Sequence, residues 1–299
     1  GVASALRNNP TLASAARVSI DHSGQVTIET DMTDIGTGSY TILAQTAAEM
    51  MGVELHRVTV KLAESHYPLS CGSGGQFGAN SSTSGVYAAC VMLRNALALK
   101  LGWEVESTTF AEGKMSSAGQ SRTLAEVAGP EGLSAEDKIE FGDTQRKWVQ
   151  SSFGAHFIEV GVHSITGEIR IRRALGVFTA GRILNPKTAR SQLLGAMAMG
   201  IGGALTEELV VEKRFGYFVN HDLAEYHVPV HADIPHTEVV ILEELDDKSS
   251  PMKAKGCGEL GICGVGAAVA NAIYNAIGVR LYDYPFTPDK VLSHLPPLV

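Results

Sequence analysis

Two stretches of this chain repeat one order of patterns: an alternating hairpin, a glycine-bearing turn and a helix. In the first, Ala16–Ile20 and Gln25–Thr30 alternate apolar and polar residues around Asp21-His22-Ser23-Gly24. Asp34-Ile35-Gly36-Thr37-Gly38-Ser39 then leads into helical periodicity from Tyr40 to Met51. In the second, Ala155–Val162 and Glu168–Thr179 flank Thr166-Gly167, and Asn185-Pro186 opens a Gly-, Ala- and Met-rich helix ending near Glu208. Period-two alternation broken by turn residues marks strands that pair as hairpins. Asn followed by Pro is a cap followed by a first helical residue. Two such units predict an α+β fold of two lobes, each a mixed or antiparallel sheet with packed helices. We place the boundary near Trp148, giving lobes of residues 1–148 and 149–299. The cleft between them is then the natural ligand site. Further strands are expected at Arg57–Ala63 and Glu238–Leu242. A capping box is expected at Thr123-Leu124-Ala125-Glu126, and a last short helix after Thr287-Pro288.

Composition removes several classes. The 299 residues are 44% apolar, enough for a core in each lobe. With 24 basic against 32 acidic residues the net charge is −8 and no basic block exists, so no nucleic acid partner is expected. No apolar run is expected to reach the roughly 18 residues that span a bilayer, and so no membrane insertion. Cys71, Cys90, Cys257 and Cys263 form no C-x-x-C pair. That argues against a zinc or iron–sulfur site held by this chain and for reduced core thiols. The start, Gly1-Val2-Ala3, has no initiator Met and no apolar leader. It reads as a cut in a longer chain or a processing point, and leaves the compartment open between cytoplasm and periplasm.

Ser70–Gly85, SCGSGGQFGANSSTSG, carries glycines at 72, 74, 75, 78 and 85 and shows no periodicity. It predicts a long loop ahead of a helix from about Thr83 to Leu101. Loops of this length inside compact domains are functional or disordered. This one is either a set of main-chain N–H groups wrapped around a phosphate-bearing ligand or a flexible surface loop. Gln192 is the one strong donor–acceptor on its apolar helix, suited to a ligand or to an exposed first turn. His221, His227, His231 and His236 offer imidazoles, but Pro229 and Pro235 break the segment. No acid joins them at a motif spacing, so an extended surface segment is expected and no metal ligated by protein side chains.

Lys253–Ala276, KAKGCGELGICGVGAAVANAIYNA, sets one acid, Glu259, among glycines and apolar residues ahead of a small-residue helix. A carboxylate in a dry apolar spot suits a general base. The other reading of Glu259 is a helix cap, because acids favour helix N-termini.

Gly36-Thr37-Gly38, the Ser70–Gly85 loop with Gln192, and Lys255-Gly256-Cys257-Gly258-Glu259 occur in that order, with Asn185-Pro186 and Ser191-Gln192-x-x-Gly195 between. Together they resemble the molybdenum hydroxylases, the xanthine dehydrogenase and aldehyde oxidase family. The resemblance covers essentially the whole chain. It is to the C-terminal half of the molybdopterin-binding large subunit, in wording nearest to bacterial aldehyde oxidoreductases. It implies a molybdopterin with one molybdenum, simple or as a cytosine dinucleotide, and no protein ligand to the metal. It also implies a fold like the molybdenum-cofactor-binding domains. Gly74, Gly75, Gln76, Phe77 and Gly78 would bind the pterin or its phosphate through the main chain, Gln192 would hydrogen-bond the pterin, and Glu259 would be the general base. The implied reaction hydroxylates an aldehyde or N-heterocycle with water-derived oxygen, passing hydride to a molybdenum-bound sulfide. Electrons would leave through 2Fe–2S and FAD groups on partner subunits. Relatives carry glutamine in the Gly36-Thr37-Gly38 turn where this chain has Thr37, so the turn is expected to act through its backbone. Family large subunits are more than twice this length, and the absent N-terminal half is an implied partner. Two other readings stay open: a cofactor-free assembly module of the same fold, and a nucleotide-binding module built on Ser70–Gly85.

Overall fold

The structure, a computed structural model, describes residues 1–295. After β1 (Val2–Asn8) comes the first unit. In it β2 (Ser14–Ile20) and β3 (Val26–Thr30) form an antiparallel hairpin with Val18 opposite Ile28. Helix α1 (Ser39–Met51) crosses back, and β4 (Val58–Leu62) lies parallel to β3. Helix α2 (Gly78–Lys100) packs beside α1 on the same sheet face. A small sheet of β5 (Thr109–Ala111), β6 (Lys114–Ser117) and β7 (Gln120–Thr123) leads to the short α3 (Leu124–Ala128). The expected capping box opens α3: Thr123 Oγ1 accepts the Glu126 N–H, and the Glu126 carboxylate accepts the Thr123 N–H. Strand β8 (Leu133–Ile139) completes the first large sheet in the order β4-β3-β2-β8.

The second unit follows the one-turn α4 (Thr144–Lys147). Strands β9 (Ser151–Val162) and β10 (Ile169–Thr179) are the second hairpin. Helix α5 (Pro186–Leu205), capped by Asn185 through the Thr188 N–H, crosses to β11 (Thr237–Ile241), parallel to β10. Helix α6 (Val265–Ile277) packs on α5 and the sheet, and α7 (Pro288–Leu292) ends the described elements.

Each unit is thus hairpin, crossover helix, parallel strand and second helix. Alternation buries one sheet face in each. Val18, Ile20, Val26 and Ile28 meet Leu43, Leu93 and Leu97 in the first core. Ile158, Ile171 and Phe178 meet Leu193, Met197, Val265 and Val269 in the second. The division near Trp148 is crossed by β1, which pairs with β9 and so belongs to the second sheet, in the order β1-β9-β10-β11.

Two expectations are corrected. The Ser70–Gly85 stretch is loop only as far as Phe77; Ser81–Gly85 are fully buried in the first turns of α2. Periodicity is missing because small residues let this helix bury itself all round. Ser82, Thr83 and Ser84 satisfy their hydroxyls on the carbonyls of Gly78, Ala79 and Asn80. Gly85 lies so close to β2 that a Cβ there would sit 2.7 Å from the Ser14 carbonyl oxygen. Second, Leu260–Ile277 is 18 residues long and apolar enough by composition to cross a membrane. Its helical part, α6, has 13 residues, about 20 Å against a hydrocarbon core of about 30 Å. Its apolar face, with Val265, Ala268, Val269 and Ile273, is consumed by the second core.

Candidate active site

The loops that precede α2 and α6 occupy the same place in the two units, and they meet. Gly256 abuts Gln76 so closely that a Cβ on it would lie 1.5 Å from the Gln76 carbonyl oxygen. Its N–H donates to Asn9 Oδ1 at 2.6 Å, and its carbonyl accepts from Ser152 Oγ at 2.7 Å. Gln76, buried and at a left-handed φ of 54°, donates through Nε2 to the Asn8 carbonyl at 3.1 Å. Its Oε1 accepts the Glu259 N–H at 3.2 Å. Beyond Glu259, Cys263 Sγ donates to the Glu259 carbonyl at 3.4 Å. His156 Nε2 contacts the Cys263 carbonyl at 3.0 Å.

Glu259 does not cap a helix. It precedes the 3-10 turn Leu260–Ile262, makes no side-chain cap bond, and lies six residues before α6. Its carboxylate instead faces β1. Arg7 Nε donates to Glu259 Oε2 at 2.8 Å, and Arg7 Nη2 donates to the same oxygen. The Glu259 side chain is 42% exposed, so the expected dry apolar surroundings are corrected: the acid stands at an open edge, held by a guanidinium. The chain just before it is anchored by Lys255, whose Nζ is 2.9 Å from Glu244 Oε1 and 3.3 Å from Asp246 Oδ2. Burial pushes the Glu244 carboxyl up, but bonds from Thr179, Lys255 and the Gly181 N–H outweigh it and hold it below the usual carboxylate range. Burial pushes the Cys257 thiol up to about 11, so this neighbour of Glu259 stays protonated and is no nucleophile at neutral pH.

The glycine loop offers free donors. Among the described residues, the N–H groups of Gly74, Gly75, Gln76 and Gly78 have no acceptor. Phe77 N–H turns back to the Gly74 carbonyl, and the Phe77 ring lies over Gly74 and Gly75. These amides stand at the N-terminus of the 23-residue α2, where the helix dipole favours an anion. Gln192, in the second turn of α5, has no hydrogen-bond partner among the described residues, and its Oε1 lies 3.6 Å from where a Gly258 Cβ would be. The other glycine turn behaves differently. Asp34 Oδ1 accepts the N–H groups of Gly36 at 2.9 Å and Gly38 at 3.2 Å, so two of the amides through which this turn was expected to act are taken by its own carboxylate. Burial raises the Asp34 carboxyl, and these amides more than reverse it. The turn instead seats α1 against α5: Gly38 meets Thr188, and Arg182 pairs with Glu49 at 2.7 Å. The Thr37 hydroxyl lies 3.4 Å from Ser39 Oγ, its one side-chain hydrogen bond among the described residues. His221, His227, His231 and His236 are all exposed. Among the described residues no three His, Cys, Asp or Glu side chains are grouped to hold a metal ion.

Residues 1–235 match the family model described as a molybdopterin cofactor-binding domain. The chain belongs to that family. It is 61% identical over 299 residues to the aldehyde oxidoreductase molybdenum-binding subunit PaoC of Escherichia coli K12, covering 100% of this chain and 41% of PaoC. It is 28% identical to the probable hypoxanthine oxidase XdhD of the same organism, over 93% of this chain and 30% of that protein. Quinoline 2-oxidoreductase from Pseudomonas putida 86 shares the fold with a TM-score of 0.86 at 24% identity, covering 99% of this chain and 42% of that one. The chain therefore spans about two fifths of the relatives it matches most fully. The molybdopterin-binding donor set fits: unpaired main-chain N–H groups at a helix start suit phosphate, and the free Gln192 amide can both donate and accept. Arg7, Asn9 and Ser152 escaped the sequence reading. Their partners lie in the Gly256–Glu259 loop, far along the chain, and only the pairing of β1 with β9 brings them there.

Proposed function

We infer that this chain is the C-terminal part of a molybdopterin-dependent oxidoreductase that hydroxylates aldehydes or N-heterocycles, with Glu259 as its general base. The observation that carries this reading is the carboxylate itself. Arg7 binds Glu259 Oε2, and Oε1 has no hydrogen-bond partner among the described residues. That leaves one oxygen fixed and one open to take a proton, beside the free donors of the glycine loop. When bound, the molybdopterin supplies two-electron redox chemistry. The main-chain N–H groups of Gly74, Gly75, Gln76 and Gly78 would hold its phosphate, the Phe77 N–H being taken by the Gly74 carbonyl, and Gln192 would hydrogen-bond its ring system. Arg7 orients the base, and the Gln76 bond to the Glu259 N–H fixes the backbone that carries it. The 61% identity to a subunit named for aldehyde oxidation favours an aldehyde over a heterocycle. A relative named as a subunit of a dehydrogenase complex supports partner chains, and the 2Fe–2S and FAD groups on them are what the family resemblance implies. The competing reading, a cofactor-free module, rests on Arg7 and Glu259 as a purely structural ion pair. Glu259→Gln in the full-length enzyme separates the two. On our reading molybdenum content is kept while kcat falls about 100-fold or more, the ordinary range for losing a general base. Turnover near the parental value with molybdenum bound would remove Glu259 from the reaction.

A further inference from the structure

The loop before α2 is built on glycines at 72, 74, 75 and 78, yet the residue at its centre is not one of them. Gln76 takes a left-handed φ of 54°, beside Gly75 at 45°. Glycine adopts such a φ freely, whereas a residue with a side chain holds it only where its surroundings over-determine it. For Gln76 the surroundings act through its buried side-chain amide, whose two ends are not interchangeable. Nε2 faces two carbonyls, those of Asn8 at 3.1 Å and Arg7 at 3.4 Å. Oε1 faces an N–H, that of Glu259 at 3.2 Å.

The Glu259 end has no substitute. Upstream, Gly256 is tied to Asn9 and Ser152, and downstream the Leu260 N–H turns back to the Cys257 carbonyl. Between them the N–H groups of Cys257 and Gly258 have no acceptor among the described residues, and the Glu259 N–H has Gln76 alone. The backbone under the carboxylate is therefore held by a side chain from the other unit. The main-chain N–H of the same Gln76 is one of the free donors at the start of α2. Phe77 follows in the right-handed region, at φ −86° and ψ −8°. A left-handed residue followed by a right-handed one turns successive N–H groups into one concavity that suits an anion. One residue thus offers its backbone to the anion site and its side chain to the loop of the base.

We propose that Gln76 is a positioning residue that couples these two places: an anion held on the amides of Gly74, Gly75, Gln76 and Gly78 tightens the Gln76 bond to the Glu259 N–H and so orders the loop that carries the carboxylate. An anion on these amides fixes the backbone of Gln76. That fixes the direction in which its side chain leaves the main chain, and with it the position of Oε1. Such coupling is reciprocal, so an ordered Glu259 loop also makes the amides a better anion site. The coupling rests on the proposed placement of the molybdopterin phosphate on these amides, and stands whether or not Glu259 is the base.

The test is amide hydrogen exchange, resolved to single residues, on the full-length enzyme in its native assembly, purified with and without molybdopterin. In the parent, loading should slow exchange at Gly74, Gly75, Gln76 and Gly78. It should also slow the Glu259 amide by about 10-fold or more, a common size for coupling between sites. Gln76→Gly keeps the main-chain donor, suits the left-handed φ and removes the side chain. In this variant loading should still slow the glycine amides, while the Glu259 amide exchanges fast in both forms. Gln76→Met keeps a long side chain without hydrogen bonds and should behave the same way, which separates the lost bond from a merely looser loop. The amides of Leu93 and Leu97, in the core of α2, report any general loosening. A Glu259 amide indifferent to loading in the parent, or still responsive in either variant, would overturn the coupling and leave the phosphate on the loop. Loading that protects neither stretch would remove the phosphate from this loop and overturn the coupling with it.

Discussion

One side chain of Gln76 holds both flanks of the candidate base: its Nε2 donates to the Asn8 carbonyl, next to Arg7, and its Oε1 accepts the N–H of Glu259. Each such bond between neutral groups contributes about 1 kcal/mol. Gln76→Ala should therefore lower stability by about 1–3 kcal/mol, since buried partners are left unpaired. Gln76 also sits at a φ of 54°, a conformation that costs a non-glycine residue of order 1 kcal/mol. Gln76→Gly loses the same bonds but relieves that strain, so it should be less destabilised than Gln76→Ala. Denaturant midpoints of the two full-length variants check this. Equal midpoints would show that the backbone strain is not there.

Arg7 and Glu259 make a second, separable prediction. Both side chains are about 40% exposed, at 40% and 42%. Ion pairs as open as this contribute about 0–1 kcal/mol to stability. Arg7→Met should hardly move the melting temperature. On the proposed function it should lower kcat, because the base loses both donors that fix Oε2. A large loss of stability with unchanged turnover would make the pair structural.

How much of this was legible before the fold was seen follows the range of the interactions. Both hairpins, both crossover helices and the Asn185 cap are local, and the alternation at 16–30 and 155–179 marks them. The early start of α2 was hidden because Ser81–Gly85 bury without any large apolar side chain. Its packing is closed by glycine and by hydroxyls bonded to their own helix. The setting of Glu259 was misjudged for a different reason. Its neighbours in sequence are apolar, but its neighbours in space are Arg7 and open solvent, and the pair is separated by 252 positions. Asp34 is a third kind of case. An acid beside a glycine turn is an obvious feature, yet nothing local tells that it consumes the amides that a ligand would need.

Gln192 gives the cleanest test of cofactor contact. Its amide bonds to nothing among the described residues, and at a half-buried position without such a bond truncation costs little, about 0.5 kcal/mol. Gln192→Ala should leave the melting temperature of the cofactor-free protein unchanged while lowering molybdenum per chain in purified enzyme. Full molybdenum occupancy in the variant would return Gln192 to a purely structural role.

The last prediction concerns acid. His156 is fully buried beneath Phe178, with Nε2 on the Cys263 carbonyl and Nδ1 without a partner. Burial lowers its pKa from the usual value, and the bond to Cys263 only partly opposes that. The folded state thus binds the proton less readily than the unfolded chain, whose histidine titrates near about 6.5. Above that pH both states are neutral and the contribution to stability is whole. As pH falls below it, the unfolded chain takes up the proton first, and stability is lost progressively towards the folded value. Protonation inside would also give Nδ1 a hydrogen with no acceptor. Because Cys263 Sγ in turn bonds the Glu259 carbonyl, the strain would reach the loop of the base. His156→Gln, which can still donate to Cys263 but does not titrate, should show a smaller fall in melting temperature between pH 7.5 and 5 on this linkage. Parallel melting curves for parent and variant across that range would place the acid sensitivity elsewhere in the molecule.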